Sequence, residues 1–203
     1  MQEGLLIVIS GPSGVGKNTI ISNLFSKLPN LSYSISATTR NPRPNEIHGK
    51  HYYFMAEADF LEKIAAAEFL EWAKVYQYYY GTLKSEVMKK LCAGQDVILD
   101  VDVQGALQIK KSFPKAVLIF LAPPSLKALR DRLVGRQTES EQQIEERLKY
   151  ITTEFQHAPE YDYFIINNEI DLTCSQIECI IQAEKCRTIR LESGCMDKIL
   201  HEV

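Results

Sequence analysis

The sequence lacks the patterns that mark membrane-spanning, secreted and zinc-centred proteins. No apolar run approaches the roughly 20 residues that a membrane-spanning helix needs. The N-terminal stretch MQEGLLIVIS has no basic region of the kind that opens a signal peptide. The 5 cysteines include no CxxC pair, which argues against a disulfide framework and a zinc knuckle, and the 4 histidines show no metal-ligand spacing. We therefore expect a cytoplasmic protein.

An excess of charge of one sign is absent as well. The formal net charge is −3, and 24% of the residues are charged, which is ordinary for a globular protein. This composition gives no overall attraction to nucleic acid or to an acidic membrane, so we expect neither as a partner. No internal repeat or low-complexity tract occurs, and 203 residues fit one α/β domain with inserted subregions.

The most informative stretch is GPSGVGKNT, from Gly11 to Thr19. It follows an apolar run, Leu5 to Ile9, that is typical of a strand buried on both faces of a parallel sheet. Apolar residues at helical spacing come next: Ile20, Ile21, Leu24, Phe25 and Leu28. In this context the GxxxxGK pattern has a mechanism, because backbone N–H groups and a helix N-terminus cradle phosphates while Lys17 neutralises them. The sequence predicts a phosphate-binding loop.

One position departs from the usual form of this loop. The residue after the lysine normally offers a Ser or Thr hydroxyl to magnesium, but here it is Asn18, and Thr19 comes one place later.

The region after the first helix contains a candidate second site. Residues 31–36 alternate apolar and polar side chains, which predicts a half-buried strand. The segment TTRNPRPNEIHGKHYYF then concentrates Arg40, Arg43 and Lys50. A solvated loop and a phosphate site both fit this segment, since arginine offers bidentate contacts and a permanent charge.

Short elements follow that indicate an insertion between strands of the main sheet. A helix is predicted over 57–69, then a polar and aromatic ribbon over 71–82, then a helix over 84–93 that Gly94 can end. The sheet resumes at Val97.

Carboxylates follow this strand directly, at Asp100 and Asp102. In an open α/β sheet, ligands bind at the carboxyl ends of the strands. Such an acid can hold magnesium on phosphates, or it can serve as a helix cap.

Arginines surround a turn between the next two predicted helices. Residues 117–121 form a buried strand, and the helix after it carries Arg130, Arg132 and Arg136, with Arg147 on the second helix. These helices could close over transferring phosphates as a lid, or the arginines could balance nearby glutamates on a solvated surface. A last strand is predicted over 163–166, followed by a C-terminal helix.

Several stretches together resemble guanylate kinases over about residues 5–184. They are GPSGVGKNT, SATTRNPRPNEIHGKHYYF, FLEWAKVYQYYYGT, VILDVDVQG, IFLAPPS, RLVGRQTE and YDYFIINN. The resemblance implies transfer of the γ-phosphoryl group of ATP to GMP, and to dGMP, with Mg2+, in purine nucleotide metabolism. It also implies an α/β fold of the P-loop NTPase type: three layers, a parallel five-stranded central sheet, an inserted GMP-binding subdomain and a helical lid.

The resemblance implies one domain over 1–203. It also implies the bounds of three parts of this domain and the residues of the site. The core would take about 4–36, 84–130 and 155–190, the GMP-binding insertion about 37–83, and the lid about 131–154. The implied ATP-binding residues are Gly11, Pro12, Ser13, Gly14, Val15, Gly16, Lys17, Asn18, Thr19 and Asn167, the last near the adenine. The implied GMP-binding residues are Ser36, Arg40, Arg43, Tyr52, Glu71, Tyr80, Thr82 and Asp102. The expected catalytic residues are Lys17, Arg43, Arg132, Arg136 and Arg147.

Two departures from the family pattern concern the metal and the lid. The expected metal-binding residues are Asn18, Thr19 and Asp100, with magnesium held by the Asn18 carbonyl, through water, or with help from Thr19. Gln137 stands where the family has a glycine in the lid turn, which would stiffen closure.

Glu71 supports the assignment by its chemistry. Guanine presents its N1–H and 2-amino group as adjacent donors, and an ionised carboxylate accepts both, while Ser36 and Thr82 hydroxyls can serve O6. Adenine cannot satisfy this arrangement, because its N1 is an acceptor. By itself, Glu71 would also fit a surface carboxylate next to a core Trp72.

Two alternatives stay open on the sequence. The first is a catalytically inactive guanylate kinase-like interaction domain that binds phosphorylated protein segments; the presence of Lys17 and the length of the chain disfavour it. The second is a kinase for another nucleotide, which Glu71 disfavours. The oligomeric state, monomer or weak dimer, is left undecided.

Overall fold

The computed structural model describes residues 3–135, 141–190 and 200. In chain order its elements are β1 (Leu6–Ser10), α1 (Lys17–Lys27), β2 (Leu31–Tyr33), β3 (Ala37–Thr38), β4 (Tyr53–Phe54), α2 (Glu57–Ala65), β5 (Phe69–Val75), β6 (Tyr78–Leu83), α3 (Lys84–Cys92), β7 (Asp96–Asp100), α4 (Val103–Ser112), β8 (Val117–Ala122), α5 (Leu126–Gly135), α6 (Glu141–Gln156), β9 (Tyr163–Ile166) and α7 (Ile170–Lys185).

The central sheet has five strands in the order β2-β7-β1-β8-β9, and every neighbouring pair is parallel. All residues of β1 and β8 are buried, because helices cover both faces of a parallel sheet. Ile7 and Ile9 pack with α1 and α7 on one face, while Val8 packs with α3 and α4 on the other. The predicted three-layer α/β fold with a parallel five-stranded sheet is confirmed.

The insertion forms a second, four-stranded sheet in the order β4-β3-β6-β5. β5 and β6 are an antiparallel hairpin, and α2 closes one face of this sheet. The Phe60 ring of α2 stacks on Phe69 with centroids 4.3 Å apart, and Phe60 is fully buried. The small sheet therefore has a separate apolar core, distinct from the core of the central sheet.

Helices α5 and α6 pack against each other beside the phosphate loop. Leu129 and Leu133 of α5 meet Ile151 of α6, and all three side chains are buried. The extents assigned to core, insertion and lid stay predictions. Among the described helices, none combines the length and apolar character that crossing a bilayer requires.

Two predicted boundaries are wrong. Residues 31–36 are not one strand: β2 ends at Tyr33, where pairing with β7 stops, and the chain crosses to the second sheet, where Ser36 O accepts the Tyr53 N–H. The helix predicted over 57–69 ends at Ala65, and Ala67 has a left-handed φ of 53° that no helix continues. Phe69, the last residue of the predicted helix, instead begins β5, where it pairs with Leu83 and its ring stacks on Phe60.

Candidate active site

The phosphate loop joins β1 to α1, and its shape depends on glycine. Gly11, Gly14 and Gly16 have φ values of 138°, 86° and 105°. A Cβ at Gly11 would lie 2.1 Å from Leu121 O, so no side chain fits there. Gly16 is the N-cap of α1, and no side chain hydrogen-bonds to this helix end from the cap. The first N–H groups of α1 therefore face outward, as an anion site requires.

Lys17 lies folded over this loop. Its Nζ donates to Gly11 O at 2.8 Å and lies 3.9 Å from Asp100 Oδ1. Asp100 ends β7 and is paired with Ile9 of β1, two residues before the loop begins. Burial raises the pKa of Asp100, and the Lys17 charge opposes that shift. Asn18 and Thr19 lie in the first turn of α1 with exposed side chains, so all three predicted metal-binding residues border the loop.

Asn167 and Arg132 support the loop from the far side. Asn167 Nδ2 and Arg132 Nη1 both donate to Val15 O, at 2.8 and 3.1 Å. Asn167 Oδ1 accepts from Thr173 Oγ1 at 3.0 Å, and Arg132 Nη2 donates to Asn167 O at 3.1 Å. Both polar atoms of the Asn167 side chain are therefore used inside the protein, and its predicted contact with adenine stays a prediction.

Two of the predicted lid arginines cannot be placed. Arg136 lies outside the described residues. Arg147 belongs to α6, but its side chain is outside the described part of the chain.

Glu71 and Thr82 face each other across the β5–β6 hairpin. Glu71 Oε1 accepts from Thr82 Oγ1 at 2.6 Å, and the two residues are 9% and 2% exposed. Asp102 is the N-cap of α4, where its Oδ1 accepts the Gly105 N–H at 2.7 Å. Burial raises the pKa of Glu71, and the nearby Asp102 charge adds to the shift. The competing interpretation of Glu71 as a surface carboxylate beside a core tryptophan is wrong, since Trp72 is the exposed neighbour at 37%.

Gly105 lies beside both carboxylates. A Cβ at this position would lie 3.4 Å from both Glu71 Oε2 and Asp102 Oδ1. The structure thus brings together Glu71, Thr82 and Asp102, which lie far apart in the sequence. Ser36 is partly buried between the two sheets, and its carbonyl serves the small sheet.

Arg40 is held by a residue that sequence reasoning missed. Glu46 accepts from both Nη1 and Nη2 of Arg40 at 2.9 Å, and also from the Arg43 N–H at 2.7 Å. These bonds lower the pKa of Glu46 to about 2. The Arg40 guanidinium lies 5.6 Å from the centre of the Tyr52 ring, and Tyr52 in turn packs on Tyr80. The only feature of the sequence that could have indicated this role of Glu46 is its position as an acidic residue within a basic loop.

A second missed residue is Glu154 of α6. It lines a pocket with Asp102, Gln104 and His157, and a second pocket with Ser13 of the phosphate loop. Burial raises the pKa of its carboxyl, with Lys17 acting in the opposite direction. Glu154 therefore points into the cleft between α6 and the loop. Nothing in its local sequence distinguishes it from the other glutamates of this helix.

The fold and the loop define a class: an α/β protein of the P-loop kinase type, with a phosphate loop after β1 and a second polar site on an inserted sheet. The guanylate kinase family model matches residues 3–184. A guanylate kinase of Caldanaerobacter subterraneus subsp. tengcongensis is 50% identical over 189 residues, 93% of this chain and 92% of that protein. One of Clostridium tetani is 44% identical, covering 100% of this chain and 98% of its own.

A solved structure agrees with these relatives. The crystal structure of guanylate kinase from Anaplasma phagocytophilum superimposes with a TM-score of 0.72 at 30% identity, covering 99% of this chain and 96% of that one. This chain belongs to the guanylate kinase family. The family membership predicted from the motifs is confirmed, and the relatives give no support to an inactive interaction domain.

Proposed function

We propose that this chain transfers the γ-phosphoryl group of ATP to GMP, and to dGMP, giving ADP and GDP in purine nucleotide metabolism. The observation that carries the proposal is the buried pair of Glu71 and Thr82 beside Asp102, in a protein that also has a phosphate loop with Lys17. ATP and GMP are metabolites of the cell interior, so we expect a cytoplasmic enzyme.

Guanine recognition would be the task of Glu71. Its ionised carboxylate accepts from N1–H and the 2-amino group of guanine, two donors that adenine lacks. Thr82 donates its one hydroxyl hydrogen to a Glu71 carboxylate oxygen, and it would give up this bond to donate to O6, which Ser36 could also serve. A site built on such hydrogen bonds can reject the wrong base by about 10⁴-fold, because a buried partner would be left unpaired.

The GMP phosphate would lie against Arg40, Arg43, Tyr52 and Tyr80. Glu46 and the Asn41 carbonyl already accept from the Arg40 guanidinium, and Tyr80 hydrogen-bonds to it as well, so the phosphate would take the place of one of these partners. Guanidinium groups suit this task because they bind phosphate through two parallel hydrogen bonds.

The ATP phosphates would be held by the backbone N–H groups of residues 11–19 and by Lys17. The loop is suited to this because its glycines have left-handed φ values and α1 starts without a side-chain cap, which turns the first N–H groups of the helix toward the loop. Lys17 would exchange its bond to Gly11 O for the phosphates. Asn167 supports the loop from below and would lie near the adenine.

Magnesium fits the oxygen donors at this end of the sheet. Asp100 offers a carboxylate, and Asn18 and Thr19 offer an amide and a hydroxyl oxygen, the kinds of ligand that Mg2+ takes. When bound, the ion supplies charge neutralisation on the phosphates.

Catalysis by the protein would consist of positioning and charge stabilisation. The GMP phosphate oxygen must face the γ-phosphorus in line, and cationic side chains must meet the charge that spreads over the moving group. We assign the latter to Lys17, Arg43, Arg132, Arg136 and Arg147. Closure of α5 and α6 would exclude water and limit hydrolysis of ATP.

A coupled assay of ADP formation tests the proposal. Purified protein receives ATP and Mg2+ with GMP, dGMP, AMP, CMP or UMP in separate reactions. We expect turnover with GMP and dGMP, and at least about 10³-fold lower kcat/KM with the other three. Absence of GMP-dependent turnover would overturn the enzyme assignment, and equal use of AMP would overturn the role of Glu71.

A further inference from the structure

Helix α4 contacts the edge of the small sheet through a pair of hydrogen bonds that has no role in the proposed mechanism. β5 is the outer strand of its sheet, so the backbone groups on its free side lack a strand partner. Gln108 of α4 takes that place. Its Oε1 accepts the Trp72 N–H at 3.0 Å, and its Nε2 donates to Trp72 O at 3.1 Å.

A glutamine amide is one of the few side chains that can do this. It carries a donor and an acceptor in the same planar arrangement as a peptide group, and so it can imitate a neighbouring strand at one residue. The residue that it clamps is the one directly after Glu71. The backbone on one side of the Glu71 Cα is therefore tied to a helix of the central core.

The other side of Glu71 is irregular. The pairing of β5 with β6 shifts between Phe69 and Glu71, so Leu70 has no partner residue and forms a bulge. A bulge loosens the strand locally, and the direction of the Glu71 side chain then depends on what holds the strand next to it. Ser112 of α4 donates to Leu70 O at 2.9 Å, one helical turn beyond Gln108.

The same helix also carries the other carboxylate of the site. Asp102 caps α4, and Gly105 in the first turn of this helix lies beside Glu71 Oε2. Asp102, Gly105 and Gln108 follow one another at intervals of three residues, so they lie along one side of the helix. The contact between α4 and β5 thereby holds Glu71 at a fixed place relative to Asp102.

We propose that Gln108 is a positioning residue for guanine recognition: by holding the Trp72 backbone, it sets the place and direction of the Glu71 carboxylate. The inference rests on the proposed function, because it concerns how Glu71 meets GMP. Gln108 does not touch the nucleotide. Replacement of Gln108 should weaken GMP binding and lower the preference for GMP over AMP. ATP binding should be unchanged.

The test uses equilibrium binding as well as turnover. Trp72 is the only tryptophan of the chain, so its fluorescence reports on this strand without a label. GMP is titrated without ATP into the wild type, Gln108→Met and Lys110→Met. Methionine keeps the length and loses both hydrogen bonds. Lys110→Met is the control, because it removes the bonds of the same helix to Asp162 and to the Ala116 carbonyl and none to β5.

We expect Gln108→Met to raise the Kd and KM for GMP about 10-fold, the equivalent of about one hydrogen bond, with KM for ATP changed less than about 2-fold. The ratio of kcat/KM for GMP over AMP should fall by a similar factor. Lys110→Met should stay within about 2-fold of the wild type in all of these. Gln108→Glu keeps the hydrogen-bond acceptor and loses the donor. It provides a second test of the proposal if the methionine variant does not fold.

The possible outcomes separate the two claims. If wild-type protein neither binds nor phosphorylates GMP, the proposed function fails, and this inference fails with it. If the wild type behaves as proposed and the Gln108 variants bind GMP normally, only the inference is overturned. A loss that is equal for GMP and ATP, or equal in Lys110→Met, would assign Gln108 a general structural role and overturn the inference as well.

Discussion

The two halves of the candidate site are built in different ways. The phosphate loop is shaped by backbone: glycines with left-handed φ values, a strand of the fully buried central sheet and an uncapped helix end. The acceptor half is shaped by side chains on a small sheet: Glu71 held by Thr82, and Arg40 held by Glu46. We therefore expect substitutions of the loop glycines to destabilise the protein through steric conflict. Substitutions in the acceptor half should instead weaken the use of one substrate, GMP, by graded amounts.

This difference explains why the sequence predicts the phosphate loop better than it predicts the contacts of the acceptor half. A strand, a glycine loop and a helix are adjacent in the chain, so their order is visible in the sequence, and the last strand over 163–166 was predicted with its observed bounds. The hydrogen bond from Asn167 to Val15 O joins residues 152 positions apart, and no local sequence pattern predicts it. The same holds for Gln108 and Trp72, 36 positions apart.

The largest expected effect follows from filling the space at Gly11. In Gly11→Ala the new Cβ would meet Leu121 O at 2.1 Å, with φ at +138°. We expect the free energy of unfolding to fall by about 3 kcal/mol or more, measured by urea denaturation. Gly49→Ala is the matched control, because φ is +75° but the nearest atom is 3.8 Å away, and it should cost about 1 kcal/mol. Equal losses would mean that the loop is less confined than described.

A substrate-specific effect is expected from Glu71→Gln. The amide cannot accept both guanine donors, so kcat/KM for GMP should fall about 10³-fold in the coupled assay while KM for ATP stays within about 2-fold. Stability should not suffer. Burial raises the pKa of Glu71, so the folded state disfavours its charge, and removing that charge should leave the thermal midpoint at neutral pH equal or higher. A lower midpoint would show that the carboxylate also stabilises the fold.

The same pKa shift predicts how GMP use depends on pH. GMP requires the ionised form of Glu71, and a raised pKa means that protonation sets in at a higher pH than for an ordinary glutamate. As pH falls, KM for GMP should therefore rise before the normal range of a carboxyl group is reached. Glu71→Gln should remove this dependence. A wild-type KM for GMP that stays flat down to the ordinary carboxyl range would contradict the assignment.

The smallest effect is expected at Asn18. Asn18→Thr restores the usual hydroxyl beside Lys17, and we expect the Mg2+ concentration for half-maximal activity to fall about 3-fold, with KM for GMP unchanged. Thr19→Val provides the comparison, because it removes the neighbouring hydroxyl and keeps the shape. No effect of Asn18→Thr, together with a large effect of Thr19→Val, would assign the metal contact to Thr19 instead.

The measurement that tests the division into two halves most directly is binding of each nucleotide to two variants, Lys17→Met and Glu71→Gln. GMP binding is followed by Trp72 fluorescence without ATP, and binding of a non-hydrolysable Mg2+–ATP analogue is followed by calorimetry. We predict that Lys17→Met weakens only the ATP analogue, and that Glu71→Gln weakens GMP by about 100-fold and leaves the analogue unaffected. If each substitution weakened both ligands to the same extent, the donor and acceptor halves would not be separate sites.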